Sequence, residues 1–227
     1  VVGDRSLRRL SSDGRLRAEV LIGADPLCVS AAEDGTVYVG CKDHVVFVGP
    51  GGGVQRWSSL GPRAHIASVA AGTDRVWVGD AGNRVVWGLD LSGRRVVEIG
   101  RQDKARGIPG IVVPSPHLDV AVGRDGLLRV ANPGRRAVET YRADGALVGS
   151  WGRAAQSIEG FCGCCNPTDI ALLADGRIVT SEKGLPRVKV YNADGQLESV
   201  VAGTETFVPT VVGLDLAVDG QGGILVL

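Results

Sequence analysis

The sequence predicts an all-β chain built from repeated antiparallel units, and three observations predict it. A hairpin pattern recurs five times: LCVSAAEDGTVYVG (27–40), IASVAAGTDRVWVG (66–79), LDVAVGRDGLLRVA (118–131), TDIALLADGRIVTS (168–181) and LDLAVDGQGGILVL (214–227). Two more apolar runs follow each of the first four hairpins. The 34 Gly and 10 Pro are spread along the 227 residues, which marks many turns and no flexible tail. A repeat of fixed period means stacked units, none of which buries its own apolar face alone.

Taken in order, residues 1–23 hold the last two strands of a unit and the tail of another. The unit at 26–60 adds HVVFV (44–48) and VQRWSSL (54–60) to its hairpin, and the unit at 65–100 adds RVVWGLD (84–90) and RRVVEIG (94–100). The unit at 117–152 adds AVETYRA (137–143) and ALVGSWG (146–152), and the unit at 168–203 adds RVKVYNA (187–193) and QLESVVA (196–202). Residues 214–227 supply a hairpin alone. Four strands per unit is one blade of a β-propeller, so a single propeller domain over 1–227 is expected. The partial units either join as one composite blade, giving five, or belong to separate blades of a longer six-bladed protein. The stop at Leu227 inside a strand favours six. A chain that opens Val1-Val2 and contains no Met reads as processed, trimmed or incomplete.

Lys plus Arg equals Asp plus Glu at 25 each, so no overall field holds a polyphosphate, and a nucleic-acid partner is not expected. No apolar run approaches the roughly 18 residues of a membrane span, and no secretory leader opens the chain.

The turns set a register. Asp-Gly between β-rich runs, as at Asp34-Gly35 and Asp175-Gly176, signals a two-residue turn with both central residues at positive φ. That register opposes Cys28 to Cys41, close enough for a disulfide or for two thiolates on one metal, and opposes Asp169 to Glu182 at the channel mouth. Strands alternate in direction, so the loop entering strand one and the loop joining strands two and three open on one face. All five Cys and all three His fall there: Cys28, Cys41, His44, His65, His117, Cys162, Cys164 and Cys165. Three readings stand for them. They are ligands of zinc, copper or part of an iron–sulfur cluster; or two structural disulfides and a spare thiol in an oxidising compartment; or they include a catalytic thiol. His65 and His117 also fit plain hydrogen bonding to loop backbone.

Asp119, Asp169 and Asp215 occupy the same position at the start of their first strands, with Cys28 equivalent to them. These carboxylates converge on the axis, either around a cation such as Ca²⁺ or as acceptors of neighbouring backbone N–H groups. The insertions RQDKARGIPGIVVPSP (101–116) and GRAAQSIEGFCGCCNP (152–167) enter adjacent blades on this face, where long loops on a rigid scaffold usually bind something. Trp57, Trp77, Trp87 and Trp151 read as filling between blades. Gly51-Gly52-Gly53 lacks a following helix, and no Gly-x-Ser-x-Gly elbow occurs.

The units resemble NHL repeats. The match is best over 66–87, with VWVGDAGNRVVW, while Asn132-Pro133-Gly134-Arg135 and Glu182-Lys183-Gly184-Leu185 depart from the usual Asp-Ser-Gly-Asn. Residues 158–191, with their FCGCCNP loop, also look like a bacterial subgroup of NHL-repeat proteins. The resemblance implies six blades, in a family whose members are extracellular lyases, lactonase-like enzymes or binding platforms. The expected function is a binding or assembly module, periplasmic or extracellular, with a protein partner docked over 101–117 and 153–168. The alternatives are a metal-dependent lyase or lactonase-like hydrolase at the channel mouth, or a subunit of an electron-transfer complex. The family's lyases draw a His from each of several blades, and here only His65 and His117 stand in such places.

Overall fold

A computed structural model describes residues 1–208, 211 and 213–227. The chain divides into two compact units, Val1–Glu98 and Ile99–Leu227. In the first, β1 (Val2–Gly3), β2 (Ser6–Leu10) and β3 (Leu16–Leu21) form a three-stranded sheet. A four-stranded sheet follows from β4 (Pro26–Ala31), β5 (Val37–Cys41), β6 (Val45–Val48) and β7 (Val54–Arg56). The next is β8 (Ile66–Ala71), β9 (Arg75–Asp80), β10 (Val85–Asp90) and β11 (Arg95–Ile99), whose last residue opens the second unit.

The second unit carries a sheet of β12 (Val120–Val122), β13 (Leu128–Asn132), β14 (Ala137–Tyr141) and β15 (Leu147–Trp151). Another comprises β16 (Asp169–Leu172), β17 (Ile178–Glu182), β18 (Arg187–Tyr191) and β19 (Leu197–Ala202). The pair β20 (Leu216–Val218) and β21 (Ile224–Val226) is a sheet of its own. All pairings are antiparallel between strands consecutive in sequence, so the repeats are the blades of a β-propeller. First strands of successive blades adjoin within each unit, β4 beside β8, and β12, β16 and β20 in turn.

Burial explains the sequence gradient across each blade. The second and third strands are the most buried because each is covered on both faces, and β13, β17 and β18 are buried throughout. Fourth strands are largely exposed: β7 reads VQR and β15 LVGSW. Trp57 packs in the core of the first unit with Tyr38, Ile66 and Trp87. Trp151 stacks on Tyr191, ring centroids 4.8 Å apart.

The Asp-Gly turns differ from the expected two-residue form. Gly35 N–H donates to Ala32 O, and Ala32 N–H to Thr36 O, which leaves a three-residue loop. Gly35 (φ 86°) is left-handed while Asp34 is not, and its carboxylate accepts the Thr36 N–H at 2.8 Å. The turn at Leu173–Arg177 repeats this pattern around Gly176 (φ 89°). Such a turn followed by a left-handed glycine absorbs one extra residue, and one residue of register exchanges the faces of a strand. Cys28 therefore opposes Gly40, while Cys41 opposes Pro26 across a bulge. Asp169 opposes Ser181, not Glu182.

Candidate functional site

The register shift sends the predicted pairs apart. Cys28 Sγ lies where a Cβ on Gly40 would sit, and its side chain packs against the cluster of Ile66 and Val69. Cys41 points the other way, into a cluster with Val39, Val46 and Val48, and burial pushes its thiol up to about 11. Cys28 and Cys41 are thus not opposed, and no disulfide joins any of the five cysteines.

Cys41 belongs to a position that every complete blade uses. The last residue of the second strand and the third-strand residue diagonal to it, two positions beyond the one directly opposite, are Cys41 and Val46, Asp80 and Trp87, Asn132 and Glu139, and Glu182 and Lys189. In three blades the pair is polar and buried, and it holds the loop entering its own blade. Asp80 accepts the His65 N–H at 3.0 Å and the Trp87 indole N–H at 3.1 Å. Asn132 accepts the Val112 N–H at 3.0 Å and donates to Gly110 O at 3.0 Å and Glu139 at 3.0 Å. Glu182, assigned from sequence to the channel mouth, is wholly buried; it accepts the Cys162 N–H at 3.0 Å and pairs with Arg187 at 2.7 Å and Lys189 at 2.8 Å. Lys189, also fully buried, donates to Ile158 O and Gly160 O and stands 4.8 Å from the Phe161 ring centroid. The sequence signal was a charged residue flanked by valine in two of the third strands, Glu139 after Val138 and Lys189 between Val188 and Val190.

His44 donates or accepts at Asp43 through Nδ1 at 2.8 Å, and Ser59 Oγ donates to the same carboxylate at 2.5 Å. The hydroxyl meets the carboxylate and not the imidazole, so this is no nucleophile–base arrangement. It closes the corner between β5 and β6, where Cys41 N–H donates to His44 O. His65 is held through its backbone by Asp80 and Ala81.

The channel carboxylates stitch one blade to the next. Asp119 accepts the Ile170 N–H at 2.7 Å, and Asp169 accepts the Leu216 N–H at 3.2 Å. Burial, then the neighbouring Asp119 and Asp215 carboxylates, raises the Asp169 carboxyl well above its ordinary value.

The remaining candidates gather in the second unit around Lys183. Asn166, almost fully buried, donates to Cys162 O at 2.6 Å and Lys183 O at 3.0 Å, and accepts the Lys183 N–H at 2.9 Å. Arg136 donates to Gly163 O at 2.9 Å. Between these anchors Cys164 is exposed, Cys165 is buried, and their Sγ atoms stand 3.0 Å apart. Lys183 Nζ donates to Ser115 Oγ at 2.9 Å, and Ser115 also hydrogen-bonds the Cys165 thiol. Burial opposes ionisation of Cys165, but the bonds from Ser115 and Cys164 and the charges of Lys183 and Arg136 outweigh it and hold that thiol below its ordinary value. Cys164 is raised by its hydrogen bond to Cys165 and by that neighbour's charge. Burial, aided by Lys183, lowers the His117 imidazole and favours its neutral form. Among the described residues no group of three or more His, Cys, Asp or Glu is placed to hold a metal ion.

Fold and site together define a β-propeller whose second unit presents a cation-flanked dithiol on two pinned insertions. No family model matches the chain, and no curated protein does. Solved structures are similar to it. A streptogramin B lyase gives a TM-score of 0.69 at 13% identity over 98% of this chain and 69% of its own. A catalytically inactive virginiamycin B lyase from Staphylococcus aureus with quinupristin gives 0.65 at 13% over 98% and 70%. A protein of unknown function from Bacteroides caccae gives 0.66 at 13% over 99% and 79%. At this identity the likeness is one of fold.

Proposed function

We propose that the protein is an NHL-type propeller acting as a binding module, exported to the periplasm or beyond, through the loop face of its second unit. The observation that carries this reading is the placement of Lys183, Arg136 and Ser115 around the Cys164–Cys165 pair. Two insertions that would be floppy on composition alone are fixed there by buried polar side chains. Fixed loops lower the entropy cost of holding a partner, and local positive charge on a neutral protein selects partners bearing carboxylates or other anionic groups. A metal, if this face holds one, matches two soft thiolates better than the four ligands of zinc, so copper(I) fits Cys164 and Cys165 better than a zinc or iron–sulfur centre does.

The test uses the scarcity of lysine. Carbodiimide coupling of the protein to carboxylates in an extract of its host should map to Lys104 and Lys183 and spare Lys42, which is more exposed than Lys183 but lies on the first unit. Coupling that falls evenly on the three would overturn the assignment. Elemental analysis with thiol counting, on protein prepared without oxygen or chelator, tests the metal: bound copper lost in Cys164→Ser supports it.

A second reading draws on the lyase neighbours and on His117, which burial keeps neutral and thus able to accept a proton. Incubation with quinupristin distinguishes the two. Turnover lost in His117→Ala would favour the enzyme.

A further inference from the structure

We infer that Cys164 and Cys165 are a redox-active vicinal dithiol, a thiol-modification site that closes to a disulfide within the loop by exchange with a small disulfide. The inference rests on the loop face of the proposed function being accessible to solutes, and it adds a chemistry to that face. Four features support it. The sulfurs are 3.0 Å apart, whereas a disulfide requires about 2.0 Å, so bond formation moves each by about half an ångström. The backbone on either side is anchored, at Gly163 by Arg136 and at Asn166 by its own buried amide. Cys162 is held through both its N–H and its carbonyl, which fixes the segment on the other side of Gly163. Exposure is divided, with Cys164 open to solvent and Cys165 buried against Ser115 and Lys183.

That division assigns the steps. Cys164 loses its proton to solvent and attacks one sulfur of the external disulfide, forming a mixed disulfide and releasing one thiolate, which takes up a proton. Cys165 then loses its proton to solvent, and its thiolate attacks Cys164 Sγ and expels the second thiolate, protonated in turn. The two cysteines lose two electrons and two protons, and the external disulfide becomes two thiols. Ser115 and Lys183 favour the charged form of the resolving sulfur, and closing the ring removes that charge from Lys183.

Oxidised glutathione is the probe. The wild-type protein should lose two hydrogens in the peptide containing Cys164 and Cys165 and keep no glutathione. Cys165→Ser should retain one glutathione on Cys164, and Cys164→Ser should take up none. Independently of any variant, phenylarsine oxide should bind the reduced wild type at one per chain and fall to none after oxidation. A disulfide to Cys162, glutathione retained by the wild type, or arsenical binding that survives oxidation would each overturn the proposal. Selective Lys183 coupling with failed thiol chemistry would sink this inference alone; even coupling with intact thiol chemistry would sink only the partner reading.

Discussion

Cys41 lies against Val39, Val46 and Val48 with its thiol pushed up to about 11, whereas Cys165 is equally buried but faces Ser115, Lys183 and Arg136 and is held low. Cysteine reactivity follows the thiolate fraction and access. In native protein at pH 7, iodoacetamide should label Cys164 first and Cys41 last, slower by roughly 100-fold or more, as peptide mapping over time would record. Asp169 offers a second residue-level outcome. Its carboxyl is raised in the folded chain, so it favours folding fully below the unfolded value of about 3.9, and that contribution is lost as pH rises through the folded value. Asp169→Asn keeps an oxygen for the Leu216 N–H and removes the charge. It should raise the melting temperature at pH 7, with the gain vanishing toward pH 4.

At the scale of elements, the buried polar pairs turn strands into clamps for the loops that precede them. Removing the Lys189 charge leaves Glu182 with Arg187 as its one cation in a dry site, and breaking a buried pair typically costs about 3–5 kcal/mol. Lys189→Met should lower stability by an amount near that range in urea unfolding, and should expose 153–161 to limited proteolysis first. The strands themselves were legible because alternation, turn residues and repeat period all agree on them. The register was not, because Asp-Gly serves both a two-residue turn and a three-residue one. The apolar pattern held the answer: the structure opposes Val29 to Val39 and Val120 to Val130, where the two-residue register would have set Val29 against Gly40 and Val120 against Ala131. Reading register from the turn alone misplaced Cys28, Cys41 and Glu182. Asp119, just before β12, and Asp169, the first residue of β16, serve as acceptors of backbone N–H groups. Asp80, Asn132 and Lys189 escaped notice because a polar residue in a blade reads as surface until its partner one strand away is known.

For the whole molecule, charge balance and architecture have separate consequences. With 25 cationic and 25 anionic side chains the net charge is zero at pH 7, and proteins associate most readily where they repel least. Solubility in ammonium sulfate should pass through a minimum near pH 7 and rise on either side; a monotonic profile would contradict this. The forward bonds from Asp119 to Ile170 and from Asp169 to Leu216 carry a different implication. Each such blade offers an acceptor to its successor and a donor to its predecessor at the same two positions. The joint is therefore directional and identical from link to link, like a coupling between railway wagons. Within the second unit, a gene that gains or loses one such repeat keeps the neighbouring joint compatible, so these blades can be duplicated or deleted without new chemistry at the seam.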